Sequence, residues 1–342
     1  MKIGVVGESA KDKKGNFHFP ENAAPLLNQL ERDGNQIYLL DHRMKYSSPE
    51  SFPAINLKLN KKENIPIIDL DSIYFGKAGK SITSRNQYNS IVEQLQSFLD
   101  LVEYLQPFEN KDNNLGVRFV NPSETLISNI NKQYLLDLSK KTDLPIIPTE
   151  RITSLDRLIE LSNKEQKYIV KPLIAERAKG AIILNDKNKE ELTNYFNDFS
   201  PIESNGSDLY SKVMSHQGLI TQPFLEEFNK YGERKIAIID GEITTSRKII
   251  GSDNGIVSIH TGGKNYIYNP SSEEQELAKR AFNEFNKINK ANYARIDIVG
   301  KPGNLKISEI EALNPSFSDH TFPEETKYHN KVLSKTIESY LD

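Results

Sequence analysis

Short apolar runs alternate with amphipathic stretches from the first residues of the chain. Residues 2–7 form a brief apolar run, and Leu26, Leu27 and Leu30 then recur at helical spacing within 25–32. Gly34 stands where that helix would end and residues 36–40 are apolar again, so the opening predicts strand, helix, strand. Residues 67–75 predict a further strand. Tyr88, Ile91, Val92, Leu95, Leu99 and Val102 repeat at three- and four-residue intervals, the stripe of a long amphipathic helix. Residues 116–120 close this unit. Asn121-Pro122-Ser123 marks a boundary, because proline restricts the residue before it and serine can cap the helix after it.

A second unit is expected to begin with a helix over 132–141 and to continue with short strands around 146–152, 167–172 and 181–184. The polar stretch 200–208 precedes a third unit. There, segments 219–222, 234–239, 242–249, 294–299 and 305–312 predict an antiparallel sheet. A helix between 273 and 288, with Leu277, Ala281, Phe282 and Phe285 on one face, would pack against it. No internal repeat is present. The expected divisions are 1–122, 123–218 and 219–342.

Composition narrows the function. The 342 residues are 37% hydrophobic and 27% charged, enough apolar side chain for a sizeable core in two or three units. The formal net charge of −3 argues against an electrostatic nucleic-acid binder. The clusters Lys11/Lys13/Lys14 and Lys58/Lys61/Lys62 read as solvated loops without aromatic stacking partners. With no cysteine, thiolate nucleophiles, disulfides, Fe–S clusters and Cys-type zinc sites are all excluded. No apolar run approaches the roughly 20 residues that span a bilayer, and Met1 leads straight into an apolar strand without a basic leader. A cytoplasmic protein with neither membrane nor nucleic acid among its partners is expected.

The densest chemistry lies in the last third. Arg295 and Asp297 fall two apart on one predicted strand, and Glu309 and Glu311 two apart on another, so each pair shares a face. If those strands are neighbours, three carboxylates and an arginine converge, a hard-oxygen set suited to Mg²⁺ carrying phosphate oxygens. A solvated sheet face with cross-strand salt bridges accounts for the same spacing. Lys171 ends an apolar strand beside Pro172, and Lys132 sits early in a predicted helix, two cations that can hold a polyphosphate or simply face water. Gly180 follows a short stretch, 175–179, that can fold over a nucleotide. Gly262 and Gly263 after an apolar stretch are either a plain turn or a bare backbone that a substrate approaches.

Other motifs are weaker. Gly4-Val5-Val6-Gly7 lacks the rest of a dinucleotide fingerprint, and no P-loop occurs, which leaves a nicotinamide-dependent oxidoreductase with little support. The six histidines form no zinc-hydrolase pair and no Ser/His nucleophile is apparent; only His320, shortly after the carboxylate strand, stays a candidate.

Taken together, these residues resemble the ATP-grasp superfamily of carboxylate–amine ligases. The likeness lies with the bacterial glutathione synthetase and ribosomal-protein glutamate ligase branch, and with a branch related to a ligase of cycloserine biosynthesis. It is carried by Asn131-Lys132, the run Leu144 to Thr149, Tyr168 to Pro172, Thr221-Gln222-Pro223-Phe224-Leu225, Gly232-Glu233-Arg234-Lys235, Gly262-Gly263, Tyr293-Ala-Arg295-Ile-Asp297, and Glu309-Ile-Glu311 before Asn314-Pro315-Ser316. The resemblance implies an α/β fold of α+β lobes: an N-terminal βαβ lobe, a central lid, and a C-terminal antiparallel-sheet lobe. It implies ATP and Mg²⁺ as cofactors, with two ions and Mn²⁺ as a substitute.

Residue by residue, Lys132 and Lys171 are similar to the lysines on ATP phosphates, and Gln222, Pro223, Phe224 and Leu225 to the hinge against adenine. Glu233 is similar to the acid that holds ribose, and Asp297, Glu309 and Glu311 to the metal ligands. Arg295, Arg247, Lys235, Gly262 and Gly263 are the expected catalytic positions. The implied reaction joins a small carboxylic acid to an amine through an acyl phosphate, with a peptide or protein substrate or a catalytically weak ATP-binding regulator as alternatives. The resemblance implies a homodimer or homotetramer as the assembly. The chain departs from the family in a glycine-poor lid between Leu173 and Gly180 and in Ile256, where relatives carry arginine.

Overall fold

The computed structural model describes residues 1–7, 10–11, 14–18, 24–76, 88–110, 116–175, 180–199, 206–251, 263–313, 315 and 323–338. The chain opens with strand β1 (Lys2–Gly7), the short pair β2 (Ala10–Lys11) and β3 (Phe17–His18), helix α1 (Ala24–Arg32) and strand β4 (Gln36–Asp41). Strands β5 (Phe52–Asn56), β6 (Lys61–Ile65) and β7 (Ser72–Phe75), helix α2 (Tyr88–Leu105) and strand β8 (Arg118–Phe119) follow. Six of these strands form one sheet in the order β6-β5-β4-β1-β7-β8. The pairs β4-β1, β1-β7 and β7-β8 are parallel, while β5 and β6 extend the sheet antiparallel. A parallel strand covered on both faces needs apolar side chains throughout, which is why β1 reads as an unbroken apolar run. Leu26, Leu27 and Leu30 of α1 cover one face, and Phe98, Leu99 and Val102 of α2 the other.

Two expectations in this region change. The strand expected over 67–75 is shorter: Ile67–Asp69 is a 3-10 turn closed by Leu70 N–H donating to the Ile67 carbonyl at 3.0 Å, and pairing begins at Ser72. Ser123 does not cap the next helix but is its first residue. Its N–H donates to Glu109 at 2.9 Å and its hydroxyl to the same carboxylate, so that carboxylate caps the helix from outside.

Helices α3 (Ser123–Ile130) and α4 (Gln133–Lys141) lead into β9 (Glu150–Ile152), α5 (Leu155–Ser162), β10 (Tyr168–Pro172), β11 (Ile182–Ile183), α6 (Lys189–Asp198), α7 (Leu209–Met214) and β12 (Leu219–Pro223). Lys132 lies just outside α4, at its N-cap, rather than inside the helix. The strand expected over 146–152 is reduced to β9, because Pro145 and Pro148 interrupt the run, and Ile146 makes only an isolated bridge to Ile307. The second sheet runs β11-β10-β12-β9, all antiparallel and covered by α5 and α6. Strand β12 therefore belongs by hydrogen bonding to this sheet, not to the one that follows it in sequence.

Helix α8 (Glu227–Tyr231), β13 (Glu233–Ile239), β14 (Glu242–Ile250), β15 (Lys264–Ile267), α9 (Ser272–Asn289), β16 (Tyr293–Lys301), β17 (Asn304–Glu311) and α10 (Pro323–Glu338) complete the chain. Their sheet is antiparallel in the order β15-β14-β13-β16-β17. Helix α9 packs its predicted stripe, Leu277, Ala281, Phe282 and Phe285, on one face of it. Helix α10 reaches back to α1, with Ser334 donating to Asp33 at 2.8 Å and Asn35 to Glu338 at 2.6 Å. Among the described residues, no helix is long and apolar enough to cross a membrane.

Candidate active site

Antiparallel register assembles the site. Arg247 on β14, Lys235 on β13, Asp297 on β16 and Glu309 on β17 lie directly opposite one another in a single cross-strand row. Two residues further along, Ala237, Arg295 and Glu311 form a second row on the same face. The intervening residues Ile236, Ile296 and Ile310 point the other way, into the core under α9. The period of two thus sorts the sheet into an apolar side and a charged side. A bulge after Asp297 makes Ser308 the extra residue of β17. Its hydroxyl lies 2.8 Å from the Glu233 carboxylate and 3.1 Å from the Asp297 carbonyl.

Charges on this face are matched at close range. Asp297 is fully buried and receives Arg295 through two contacts, Nε to Oδ1 at 2.7 Å and Nη2 to Oδ2 at 3.0 Å, the bidentate geometry that suits guanidinium to carboxylate. Lys235 also donates to Asp297, and its Nζ lies 2.8 Å from Glu233. Burial and the Arg295 charge press the Lys235 ammonium down, but Asp297 and Glu233 outweigh them and leave it above the ordinary lysine value. Burial lowers the tendency of Arg295 to hold its proton too, and Asp297, Glu311 and Glu309 more than reverse that. Glu233, in turn, has Ser308 at one carboxylate oxygen and Lys235 at the other.

Cations come from the start of α4 and from the second sheet. Lys132, at the N-cap of α4, donates to the Ala175 carbonyl and pairs with Glu309 at 3.3 Å. Its own N–H donates to the Leu173 carbonyl at 3.0 Å, which fixes the stem. Lys171 arrives on β10; among the described residues its ammonium makes no hydrogen bond or ion pair. Burial and Lys132 lower its affinity for the proton, while Glu309, Glu233 and Asp297 oppose them. Burial alone would raise the Glu309 carboxyl, but Lys132, Lys171, Arg295 and Lys235 pull it down to about 2. It is therefore ionised across the ordinary pH range.

The segment Gln222 to Leu225 links the two sheets. Gln222 is buried and donates to the Thr149 hydroxyl at 2.8 Å, Pro223 lies opposite Tyr168, and Phe224 N–H donates to the Lys167 carbonyl at 2.8 Å. Gly232 then turns the chain into β13 with φ +71, and a Cβ there would come within 2.6 Å of the Ile249 carbonyl oxygen. Gly263 is half-buried and immediately precedes β15. Gly262, Ile256, Asn314, Ser316, His320 and residues 176–179 lie outside the described residues.

The structure thus brings Arg247, Lys235, Arg295, Asp297, Glu309, Glu311 and Glu233 to one sheet face and sets Lys132 against Glu309. Several supporting residues had no warning in the sequence. Asn121 is wholly buried and bonded to the backbone of 292, 293 and 312, and Asn129 to that of 310, 312 and 313. Arg234 points to the opposite side from Lys235, donating to Glu274 at 2.8 Å and to the carbonyls of Gly232 and Gly300. Buried His329 of α10 meets the Thr244 hydroxyl at 2.7 Å, and burial plus the Arg247 charge push its pKa down to about 3.

The donor chemistry bears on the expected cofactors. Among the described residues, no three His, Asp or Glu side chains are grouped to hold an ion by themselves. A Mg²⁺ site that draws part of its shell from phosphate oxygens needs only one or two carboxylates, and the Glu309–Asp297 row can supply them.

No protein-family model matches the chain, and no curated protein matches it in sequence. Solved structures match over nearly its whole length. D-cycloserine synthetase DcsG superimposes with a TM-score of 0.65 at 14% identity, covering 98% of this chain and 100% of that one. Macrocyclase MdnC bound with precursor peptide MdnA, from Microcystis aeruginosa MRC, gives 0.58 at 13% identity over 99% and 100%. The ATP-grasp ligase PsnB complexed with minimal precursor gives 0.57 at 14% identity over 99% of each chain. The fold expected from the sequence is the fold found: the chain has the ATP-grasp architecture.

Proposed function

We propose that the protein is an ATP-dependent carboxylate–amine ligase that forms an amide through an acyl phosphate and releases ADP and phosphate. The observation that carries this reading is the charged row Arg247–Lys235–Asp297–Glu309, with Lys132 facing it from the N-cap of α4 and Lys171 from the second sheet. A surface of paired salt bridges would not need two further lysines aimed at the same carboxylate. A site for a polyphosphate would.

Hydroxide is a poor leaving group, so a carboxylate must be activated before an amine can displace its oxygen. In this reading Lys132 and Lys171 hold phosphate oxygens, and Gln222 to Leu225 lies against adenine. Among the expected ligands Asp297, Glu309 and Glu311, one or two would hold Mg²⁺ together with phosphate oxygens, two ions with Mn²⁺ as a substitute, which when bound would neutralise charge on the transferring phosphoryl group. Glu233 takes the ribose, exchanging its contact with Lys235 for a sugar hydroxyl. Arg295 steadies the phosphoryl group, since Asp297 holds its guanidinium rigid, and Lys235 and Arg247 offset charge on the activated carboxylate. Gly262 and Gly263 leave room for the amine beside the acyl carbon. No group on the chain is required as a covalent nucleophile, consistent with a sequence without cysteine.

The test is ATP consumption across a panel of amino acids, small peptides and amines, with the phosphate product identified and hydroxylamine added as a trap. ADP, phosphate and a hydroxamate are expected. Release of AMP and pyrophosphate, or stimulation by an acid without a trapped hydroxamate, overturns the mechanism. A second reading, modification of a peptide, is favoured by the likeness to MdnC, whose structure holds a precursor peptide.

A further inference from the structure

The two carboxylate oxygens of Glu233 rest on two different donors. Oε1 lies 2.8 Å from the Ser308 hydroxyl, and Oε2 lies 2.8 Å from Lys235 Nζ. These donors are not equivalent. Lys235 also donates to Asp297, so its ammonium keeps a carboxylate partner if it leaves Glu233. The Ser308 hydroxyl has one proton and two acceptors in reach. The charged Glu233 oxygen at 2.8 Å takes it in preference to the neutral Asp297 carbonyl at 3.1 Å.

Ser308 reaches Glu233 by way of the bulge. Asp297 lies opposite Glu309 and Ile298 opposite Ile307, which leaves Ser308 outside the ladder. Under strict alternation Ser308, the neighbour of Glu309, would share the apolar face with Ile310. Its hydroxyl instead meets a carboxylate two strands away, on β13, and both side chains are buried. Water competes little for a pair so enclosed.

We propose that Ser308 is a positioning residue for ribose recognition: it holds Oε1 of Glu233 while Oε2 passes from Lys235 to a sugar hydroxyl, so that the chain selects a ribonucleotide over a deoxyribonucleotide. A carboxylate already fixed at one oxygen accepts the hydroxyl without first being ordered, whereas one freed at both oxygens loses rotamer freedom on binding. This selection rests on the ligase reading, in which Glu233 takes the ribose.

The full-length protein is titrated by calorimetry with ADP, 2′-deoxy-ADP and 3′-deoxy-ADP in the presence of Mg²⁺. Wild type is expected to bind ADP about tenfold or more tightly than at least one of the deoxy analogues, the scale of a hydrogen bond to a charged group. Ser308→Ala is expected to shrink that ratio about threefold or more while affinity for the same analogue stays within about twofold. Ser308→Thr, which keeps the hydroxyl, is expected to retain the wild-type ratio. A ratio that survives Ser308→Ala, or one lost alike in the Ala and Thr variants, overturns the positioning role alone, and so does an affinity that falls equally for all three nucleotides. Equal binding of the three by wild type overturns the ribose assignment of Glu233 together with the positioning role. Absence of nucleotide binding overturns the ligase reading as well.

Discussion

Lys171 is the ammonium at the site without a partner among the described residues, and burial makes an unpaired cation costly, so an anionic ligand gains most there. Lys171→Ala is expected to weaken Mg·ATP binding by roughly 1.5–3 kcal/mol, about ten- to a hundredfold by calorimetry. An unchanged affinity would remove Lys171 from the proposed nucleotide site. His329 offers a test independent of activity. Its folded pKa is about 3 against an ordinary value of 6.5, so the unfolded chain binds the extra proton between these limits. Its contribution to stability is complete above pH 6.5 and is lost on acidification toward pH 3, at up to about 1.4 kcal/mol per pH unit. His329→Gln should flatten that part of the stability profile measured by urea unfolding; an unaltered slope would mean that His329 is not buried as a neutral base. At this scale the sequence exposed Arg295/Asp297 and Glu309/Glu311 through spacing alone. It gave no sign of Ser308, whose place beside Glu233 depends on a bulge that no local pattern announces.

Elements were legible where a period is long enough to repeat. The stripe Leu277, Ala281, Phe282, Phe285 predicted α9 to within a residue or two at either end, and the structure adds a capping box at Ser271 and Glu274. Strand β12 was not legible in its sheet: its apolar run fits either neighbour, and only pairing with β10 and β9 decides. Glu274 shows what an element end can carry. Besides capping α9 it accepts from Arg234 of β13 at 2.8 Å and from Tyr268, the residue after β15, at 2.7 Å. Since Arg234 and Glu274 are almost wholly buried, Glu274→Ala strands a charge and is expected to cost about 3–5 kcal/mol in denaturant unfolding. Glu274→Gln, which keeps an acceptor, should cost less. Equal, small losses in both variants would show that the pair contributes little.

Across the whole molecule, the charged face is usable only if the first sheet holds the ends of β16 and β17 in place, and Asn121 makes that connection. Its amide nitrogen donates to the carbonyls of Tyr293 at 3.0 Å and Ala312 at 2.7 Å, while its oxygen accepts from the N–H groups of Asn292 at 2.8 Å and Tyr293 at 3.2 Å. The sequence marked Asn121-Pro122 as a boundary but could not name the partners, which are more than 170 residues away. Tyr293 is two residues before Arg295 and Ala312 is one after Glu311, so the side chain holds the strand ends that carry the second charged row. Asn121→Ala would leave four buried backbone donors and acceptors without this partner, each costing about 1–3 kcal/mol unless water enters, so a loss of several kcal/mol is expected in denaturant unfolding. Because Lys132 and Lys171, the lysines proposed to hold the nucleotide, sit on other elements, ATP affinity is expected to fall less than turnover does. Wild-type stability together with wild-type turnover in the Asn121→Ala protein would show that the two sheets are held in register by other contacts.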